Sequence, residues 1–351
     1  MHIRSIPVDG FEQVLRAEGL PGGHVGFIAI HSTALGPGLG GLRLWNYRNE
    51  EEAIADVLRL AEAMTWKAAA ARLPFGGGKA VIMADPIREK TPELLDAVGD
   101  FVEAARGRYI TAEDVGIGAE DLIRVRARTR HVTGLPRTSG GSGDPSPFTA
   151  RGVLRGIEVS LEDVHGSSEV RGRTVAIQGV GHVGLELARL LAERGTRLLV
   201  SDVVPGRARD CSGLTGAQIV APEEILSVPC DILAPCALGG VIDAETAASL
   251  RARIVAGAAN NQLESVEIGD LLERRGLLYA PDFVVNAGGL INISVELEPE
   301  GYREERAIEL VDGIADAIRE VFHESRKEGI APARAALRMA ADRVRSAAKQ
   351  R

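Results

Sequence analysis

Thr174-Val-Ala-Ile-Gln-Gly-Val-Gly-His-Val-Gly184 is an apolar run that breaks into a glycine-rich turn. Its first five residues read as a buried strand. Gly179-Val180-Gly181-His182-Val183-Gly184 then fits G-x-G-x-x-G, and residues 183–194 read as a helix. The spacing gives each glycine a task. Gly179 makes the tight turn, Gly181 lets a pyrophosphate approach the backbone, and Gly184 allows close helix–strand packing. The helix N-terminus faces the phosphates. A second strand, 198–201, ends at Asp202, which stands 23 residues after Gly179. An acidic residue there binds a ribose 2′-hydroxyl and repels a 2′-phosphate. Residues 179–184 with Asp202 therefore form a candidate NAD site, although Arg207 and Arg209 weaken the exclusion of NADP. The competing reading is a glycine turn without a cofactor. It is disfavoured by the strand before the turn and the helix after it.

Further out, Ile232-Leu-Ala234 and Ile254-Val-Ala256 read as more strands, and 148–163 as a helix. Strands alternating with helices predict an α/β, doubly wound parallel sheet. Upstream, Val25–Ile30, Ala80–Met83 and Tyr109–Thr111 read as strands. Glu50 to Ala71 reads as a helix with Ile54, Val57, Leu58, Ala61 and Met64 on its apolar face. Between the two halves, Thr138 to Pro147 has the composition of a linker. The reading is a first α/β domain at 1–145, a Rossmann-type domain at 146–324, and an amphipathic helical return at about 325–351 onto the first domain.

Composition narrows the function classes. A net charge of −8 disfavours a nucleic-acid surface. No apolar run is long enough to span a bilayer, and the N-terminus lacks a signal-peptide core, so a cytoplasmic protein is expected. Cys211, Cys230 and Cys236 form no CxxC, and no histidine pair suits a metal, so neither disulfides nor a metal site is expected.

Only five of the 41 basic residues are lysine. Genome base composition accounts for most of that bias, but where arginine serves almost everywhere a retained lysine can mark a place that wants a point charge able to lose its proton. Lys67 continues the apolar face of the Glu50 helix, where an ordinary snorkelling lysine is the competing reading. Lys79 closes Pro74-Phe-Gly-Gly-Gly-Lys79, which is not a phosphate-binding P-loop, since Leu73 and Ala80 break that pattern. The three glycines predict open space where a ligand can approach the backbone. A partly desolvated lysine there would have a lowered pKa and could act as a general base. Asp114, after Glu113 and a short strand, is the candidate carboxylate. Asn260 and Asn261, and Asn286 after an apolar stretch at 279–285, lie where open α/β sheets bind ligands. Turn chemistry is the alternative for all of these.

Together these segments resemble the Glu/Leu/Phe/Val dehydrogenase family, its leucine dehydrogenases most of all. The resemblance rests on Gly40-Gly-Leu-Arg-Leu-Trp-Asn-Tyr47, Met64-Thr-Trp-Lys67, Gly76-Gly-Gly-Lys79, Tyr109-Ile-Thr-Ala-Glu-Asp-Val-Gly116 and Gly143-Asp-Pro-Ser-Pro-Phe-Thr-Ala150. It continues through Gln178-Gly-Val-Gly181, Ala234-Pro-Cys-Ala-Leu-Gly239, Gly257-Ala-Ala-Asn-Asn-Gln262 and Tyr279 to Gly289, in the family's order over roughly residues 25 to 345. It implies two domains with the active site in the cleft between them, NAD as cofactor, and a homo-oligomer, dimer or octamer. It also implies roles. Lys67 would bind the substrate carboxylate, Lys79 would activate water, and Asp114 would shuttle protons of the amino group. Asn261 would hold substrate, Asn260 the cofactor, and Asn286 would lie near the nicotinamide.

The family's glutamate enzymes carry a lysine where Leu39 stands in Pro37-Gly-Leu39-Gly40-Gly41, and a serine where Ile293 stands. Leu39, Gly40, Ala112, Leu290 and Ile293 are instead expected to line an apolar substrate pocket. That implies oxidative deamination of leucine, valine or isoleucine. Leu42 departs from the threonine usual in the leucine enzymes and is expected at the pocket edge. The alternatives are a phenylalanine or valine dehydrogenase of the same family, and a non-catalytic NAD-binding sensor. The intact set of Lys67, Lys79 and Asp114 speaks against the sensor.

Overall fold

The structure is a computed structural model that describes residues 1–350. It divides into two compact units. The first comprises residues 1–144, 293–304 and those from 340 on; the second comprises 145–292 and 305–339.

The first unit is built on a mixed six-stranded sheet. Its strands are β1 (His2–Ile6), β2 (Gln13–Leu20), β3 (His24–Ser32), β4 (Gly38–Trp45), β5 (Gly76–Met83) and β6 (Tyr109–Ala112), in the order β1-β2-β3-β5-β4-β6. β5 runs antiparallel to β3 and parallel to β4. Helix α1 (Glu50–Ala70) covers one face, and α2 (Pro92–Glu103) with α3 (Ala119–Arg126) covers the other. Asn49 caps α1 by accepting the Glu52 N–H at 2.8 Å, and Glu50, Glu51 and Glu52 complement the positive end of its dipole. Its buried stripe is Ala53, Val57, Ala61, Thr65 and Ala68. That stripe is turned from the expected one: Ile54, Leu58 and Met64 only flank it, half-buried. The small residues at the centre let the helix axis come close to the sheet.

That approach corrects the reading of the glycine triplet. Gly76, Gly77 and Gly78 are buried and belong to β5, not to a loop. A Cβ on Gly77 would lie 2.1 Å from Thr65 Oγ1 and 2.4 Å from the Ala61 carbonyl oxygen. One on Gly76 would lie 1.8 Å from the Ser32 carbonyl oxygen, and one on Gly78 2.6 Å from the Tyr109 ring. The missing side chains are filled by protein, so they leave no room for a ligand.

The second unit carries a wholly parallel sheet. Its strands are β7 (Thr174–Gln178), β8 (Arg197–Ser201), β9 (Gln218–Ile219), β10 (Ile232–Pro235), β11 (Ile254–Val255) and β12 (Leu278–Tyr279). Their order, β9-β8-β7-β10-β11-β12, is that of the dinucleotide-binding doubly wound sheet. Helices α4 (Ser146–His165), α5 (His182–Ala192), α6 (Pro205–Thr215), α7 (Ala244–Ser249) and α8 (Val266–Arg274) flank it. The short α9 (Asp282–Val285) and α10 (Gly288–Val295) follow β12. The chain ends in α11 (Glu304–Asp312), α12 (Ile314–Glu328) and α13 (Pro332–Ala348).

The expected return at 325 is displaced. Residues 305–339 group with the second unit, and only 293–304 and the chain from 340 group with the first. The reason is electrostatic as well as apolar. Arg151 and Arg155 of α4 donate to Asp312 at 2.7 and 2.8 Å, and Glu162 of α4 accepts from Arg319 of α12 at 3.0 Å. Ile318, Val321 and Phe322 bury the apolar face of α12.

Candidate active site

Strand alternation puts Lys79 on the α1 face of β5 and Ala80 on the other. Lys79 is 6% exposed. Its Nζ lies 2.6 Å from Asp114 Oδ2. Asp114 is held by a tight turn after β6: the Ile117 N–H donates to its carbonyl at 2.9 Å, and the Val115 carbonyl accepts from Leu44 N–H at 2.9 Å. Gly116 adopts φ +83°, and a Cβ there would sit 2.1 Å from the Leu44 carbonyl oxygen, so the turn requires glycine. Arg43 on β4 donates Nε to Asp114 at 3.0 Å. Burial drives the Lys79 pKa down, against the pull of Asp114, and Arg43 pushes the same way as burial. For Asp114, burial raises the pKa, but Lys79 and then Arg43 hold it below the usual carboxylate range. The pair thus joins a lysine disposed to lose its proton and a carboxylate disposed to be charged, which suits proton transfer.

Gly41 matters here. A Cβ on it would lie 3.1 Å from Lys79 Nζ and 2.8 Å from Asp114 Cβ, so its bareness makes room for the pair. Leu39, two residues back on the same face, is fully buried. Gly40 backs onto β5, where a Cβ would lie 2.0 Å from the Gly78 carbonyl oxygen, and its own carbonyl accepts from the Tyr109 hydroxyl at 2.8 Å. Lys67 is half-buried on the last turn of α1. Gly134 brings two further expected residues together: a Cβ on it would lie 3.6 Å from Ile293 and 3.9 Å from Ala112. Thr133 fixes this contact by donating to the Ile293 carbonyl at 2.6 Å. Leu290 precedes Ile293 by three residues on α10, which places both on one helix face. Leu42 is a correction. It joins the sealed core on the α2 face with Leu44, Ala80 and Ile82, away from Lys79, so it edges no pocket there.

In the second unit the glycine-rich turn sits at the point where the strand order reverses. Gly179 adopts φ +88°, and a Cβ on it would lie 2.6 Å from Ala237, which follows β10. One on Gly184 would lie 2.0 Å from the Gly179 carbonyl oxygen, whereas one on Gly181 would meet nothing within 4 Å. His182 and Val183 open α5, whose first N–H groups have no partner within the helix. Asp202 accepts from Val180 N–H at 3.0 Å and from Val204 N–H at 2.8 Å. Val180 itself is buried, so its backbone serves the turn through Asp202.

Asn260 and Asn261 follow β11 on the surface, and Asn261 adopts φ +50°. Asn286 donates to Asn260 Oδ1 at 2.9 Å and to the Ala258 carbonyl at 3.1 Å. The stretch before Asn286 is not a strand: β12 ends at Tyr279, and Asn286 caps the one-turn α9. Three amide oxygens on this unit, Gln178 Oε1, Gln262 Oε1 and Asn286 Oδ1, are buried without a hydrogen-bond donor.

The model of the Glu/Leu/Phe/Val dehydrogenase dimerisation domain matches residues 14–131. That of the Glutamate/Leucine/Phenylalanine/Valine dehydrogenase domain matches 140–214 and 204–351. The chain belongs to the Glu/Leu/Phe/Val dehydrogenase family. A leucine dehydrogenase of Thermoactinomyces intermedius is 46% identical over 97% of this chain and 93% of its own length. A phenylalanine dehydrogenase of Bacillus thermotolerans is 42% identical over 97% of this chain and 90% of its own. The crystal structure of L-tryptophan dehydrogenase from Nostoc punctiforme superimposes with a TM-score of 0.84, at 43% identity and 97% coverage of both chains. The protein is an amino acid dehydrogenase.

Three residues of the dehydrogenase escaped the sequence reading. Arg43 and Gly41 lay inside a quoted motif, and only the folded structure shows that Gly41 adjoins Lys79 and that Arg43 reaches Asp114. Gln262 is fully buried and ties the asparagine loop together. It donates to the Gly257 and Ala259 carbonyls at 2.7 and 3.0 Å, while its N–H donates to Asp282 at 2.8 Å. A glutamine directly after two asparagines was the available signal. Among the described residues of the dehydrogenase no cluster suits a metal, and no helix is long and apolar enough to cross a membrane.

Proposed function

We propose that this dehydrogenase oxidatively deaminates a branched-chain L-amino acid (leucine, valine or isoleucine) to its 2-oxo acid and ammonia, with NAD. The observation that carries the reading is the buried Lys79–Asp114 pair with the apolar Leu39 on the same face. Lys67 takes the α-carboxylate. Asp114 takes a proton from the α-ammonium, leaving the amine neutral. Neutral Lys79 later takes a proton from the water that adds to the iminium carbon, and the resulting carbinolamine releases ammonia. NAD, when bound, accepts the hydride from Cα.

The second unit fits that cofactor. The open backbone at Gly181 and the start of α5 receive a pyrophosphate. Asp202 lies where a ribose hydroxyl binds. Asn260, Asn286 and Asn261 supply amide groups, and the donorless Gln178 and Asn286 oxygens call for ligand N–H or O–H groups. Leu39, Ala112 and Ile293 of the first unit, all under 9% exposed, offer a side chain only apolar contact. A glutamate carboxylate buried among such groups without a partner costs several kcal/mol. The dimerisation domain supports a homo-oligomer.

The deciding experiment is NADH formation across leucine, isoleucine, valine, phenylalanine, tryptophan and glutamate, repeated with NADP. The aliphatic substrates with NAD are expected to give the highest kcat/KM, and glutamate at least about 100-fold less. Glutamate in first place sinks the apolar-recognition argument. Phenylalanine or tryptophan in first place removes the branched-chain reading and keeps the chemistry. No turnover of any of them, with NADH still bound, leaves the sensor.

Activity is also expected to rise with pH. The base form of Lys79 predominates above its pKa, which burial lowers, so kcat/KM climbs as pH passes upward through that value. A flat profile from pH 7 to 10 contradicts the assignment.

A further inference from the structure

Arg43 presents its two sides to two carboxylates. Its Nε donates to Asp114 at 3.0 Å and its terminal nitrogen to Asp56 of α1 at 2.9 Å. Asp56 in turn accepts from the Tyr47 hydroxyl at 2.7 Å and from Arg59 at 2.7 Å. The result is a chain, Lys79–Asp114–Arg43–Asp56–Tyr47, that runs from a buried amine to the wall of a cavity of about 330 Å³. Arg43, Trp45, Tyr47, Glu52, Asp56 and Val115 line that cavity.

The geometry points to Arg43 as a positioning residue for the Lys79–Asp114 pair, with Asp56 setting how strongly its charge is felt there. This rests on Lys79 and Asp114 having the roles proposed above. The physical case has two parts. First, Asp114 lies on a turn outside the sheet, and a planar guanidinium held by Asp56 on its far side fixes where the carboxylate can sit. Second, the cation is close to both members of the pair. It favours the charged form of Asp114 and disfavours the charged form of Lys79, whereas Asp56 opposes it at Lys79. Without Arg43, only Lys79 and the turn's backbone would oppose the burial that favours a neutral Asp114, and the carboxylate would be held less firmly in the charged form that takes a proton from the substrate.

The charged groups that act on Lys79 can be named from each side. They are Asp114 behind β6, Arg43 on β4 and Asp56 on α1. β3 places only Ala29 opposite it. Tyr109 on β6 and Tyr47 are both held in their neutral forms, by burial first. Arg59 and Tyr47 act through Asp56, and Lys67 is further along α1.

The inference fixes opposite signs for two substitutions. Arg43→Gln removes a positive charge, so the Lys79 pKa rises and the ascending limb of kcat/KM moves to higher pH. Near neutral pH kcat/KM falls about 10-fold or more and recovers as pH rises. Asp56→Asn removes the negative charge that balances Arg43, so the limb moves to lower pH. Arg43→Lys keeps the charge and returns the limb toward the parent position, but with lower kcat, because an ammonium lacks the fork. Residues that only held the fold would change kcat or stability without moving the limb in opposite directions.

A second readout needs no turnover. With lysine labelled with ¹³C at Cε, the five lysines give few signals, and Lys79 is identified by its loss in Lys79→Ala. Its titration is expected to move up in Arg43→Gln and down in Asp56→Asn. If both substitutions leave that midpoint in place, or move it the same way, the inference is overturned, whatever the enzyme does with amino acids. If the parent protein oxidises no amino acid while the two midpoints still part, the proposed activity fails and the positioning role stands.

Discussion

Lys79→Ala is expected to lower kcat by about 10²–10⁴-fold while leaving NADH affinity within about twofold of the parent. The rate loss follows from removing the buried lysine whose Nζ lies 2.6 Å from Asp114 Oδ2. The binding half follows from the placement of the glycine-rich turn, Asp202 and the asparagine loop in the other unit. Lys79→Arg separates two roles that alanine confounds. Arginine keeps a cation beside Asp114 but does not lose its proton near neutral pH, so it cannot act as a base. Both variants are therefore expected to be nearly inactive. Stopped-flow turnover together with a fluorescence titration of NADH checks the pair. Substantial activity in Lys79→Arg would falsify the base assignment and leave the residue as a charge partner only.

How much of this was legible beforehand depended on range. The Rossmann-type unit was readable because its signals are local: an apolar strand, a glycine turn and a helix start follow one another between Thr174 and Ala192. There the structure shows Gly179 at positive φ, Gly184 packed on the Gly179 carbonyl and Gly181 open toward solvent. The first unit was harder. Its central strand, β5, pairs with a strand earlier in the chain on each side, so which residues share a face with Lys79 depends on two registers. Arg43 and Gly41 could not be matched to Lys79 without them. Leu42 went wrong for the same reason: one position along a strand changes its face. The helical turn before Asn286 was not legible because the stretch 283–285 is apolar and short, and periodicity alone does not tell a four-residue helical turn from a strand. The C-terminal helices were recognised as amphipathic, but the pattern does not say which surface they cover. The salt bridges from Arg151 and Arg155 to Asp312 that hold α11 on α4 join positions some 160 residues apart.

The glycines supply the second large effect, because two of them are bare for opposite reasons. Gly77 is bare so that α1 can lie on β5. A methyl group there meets Thr65 N at 2.2 Å and the Ala61 carbonyl oxygen at 2.4 Å, and both are helix backbone that no rotamer change can move. Gly77→Ala must therefore push α1 off the sheet or shift β5, carrying Lys79 two residues along with it. The cost is expected to be about 3 kcal/mol, at the upper end for overpacking. At about 2–4 °C per kcal/mol for a unit of this size, the melting temperature falls by about 10 °C. Activity should drop as well, since Lys79 no longer meets Asp114. Gly181 is bare toward open space. Its φ of −69° is allowed to any residue, and a Cβ meets nothing within 4 Å. Gly181→Ala is thus expected to leave the melting temperature within about 1 °C of the parent, because it strains nothing. Its methyl would instead stand where a pyrophosphate approaches the backbone, raising the KM for NAD about 10-fold or more with a smaller change in the KM for the amino acid. Thermal melts and steady-state kinetics on the two variants test both statements at once. A Gly181→Ala protein with an unchanged KM for NAD would mean that the turn does not carry the pyrophosphate. A Gly77→Ala protein as stable as the parent would mean that α1 and β5 are not as closely apposed as the packing of Thr65 on the strand requires.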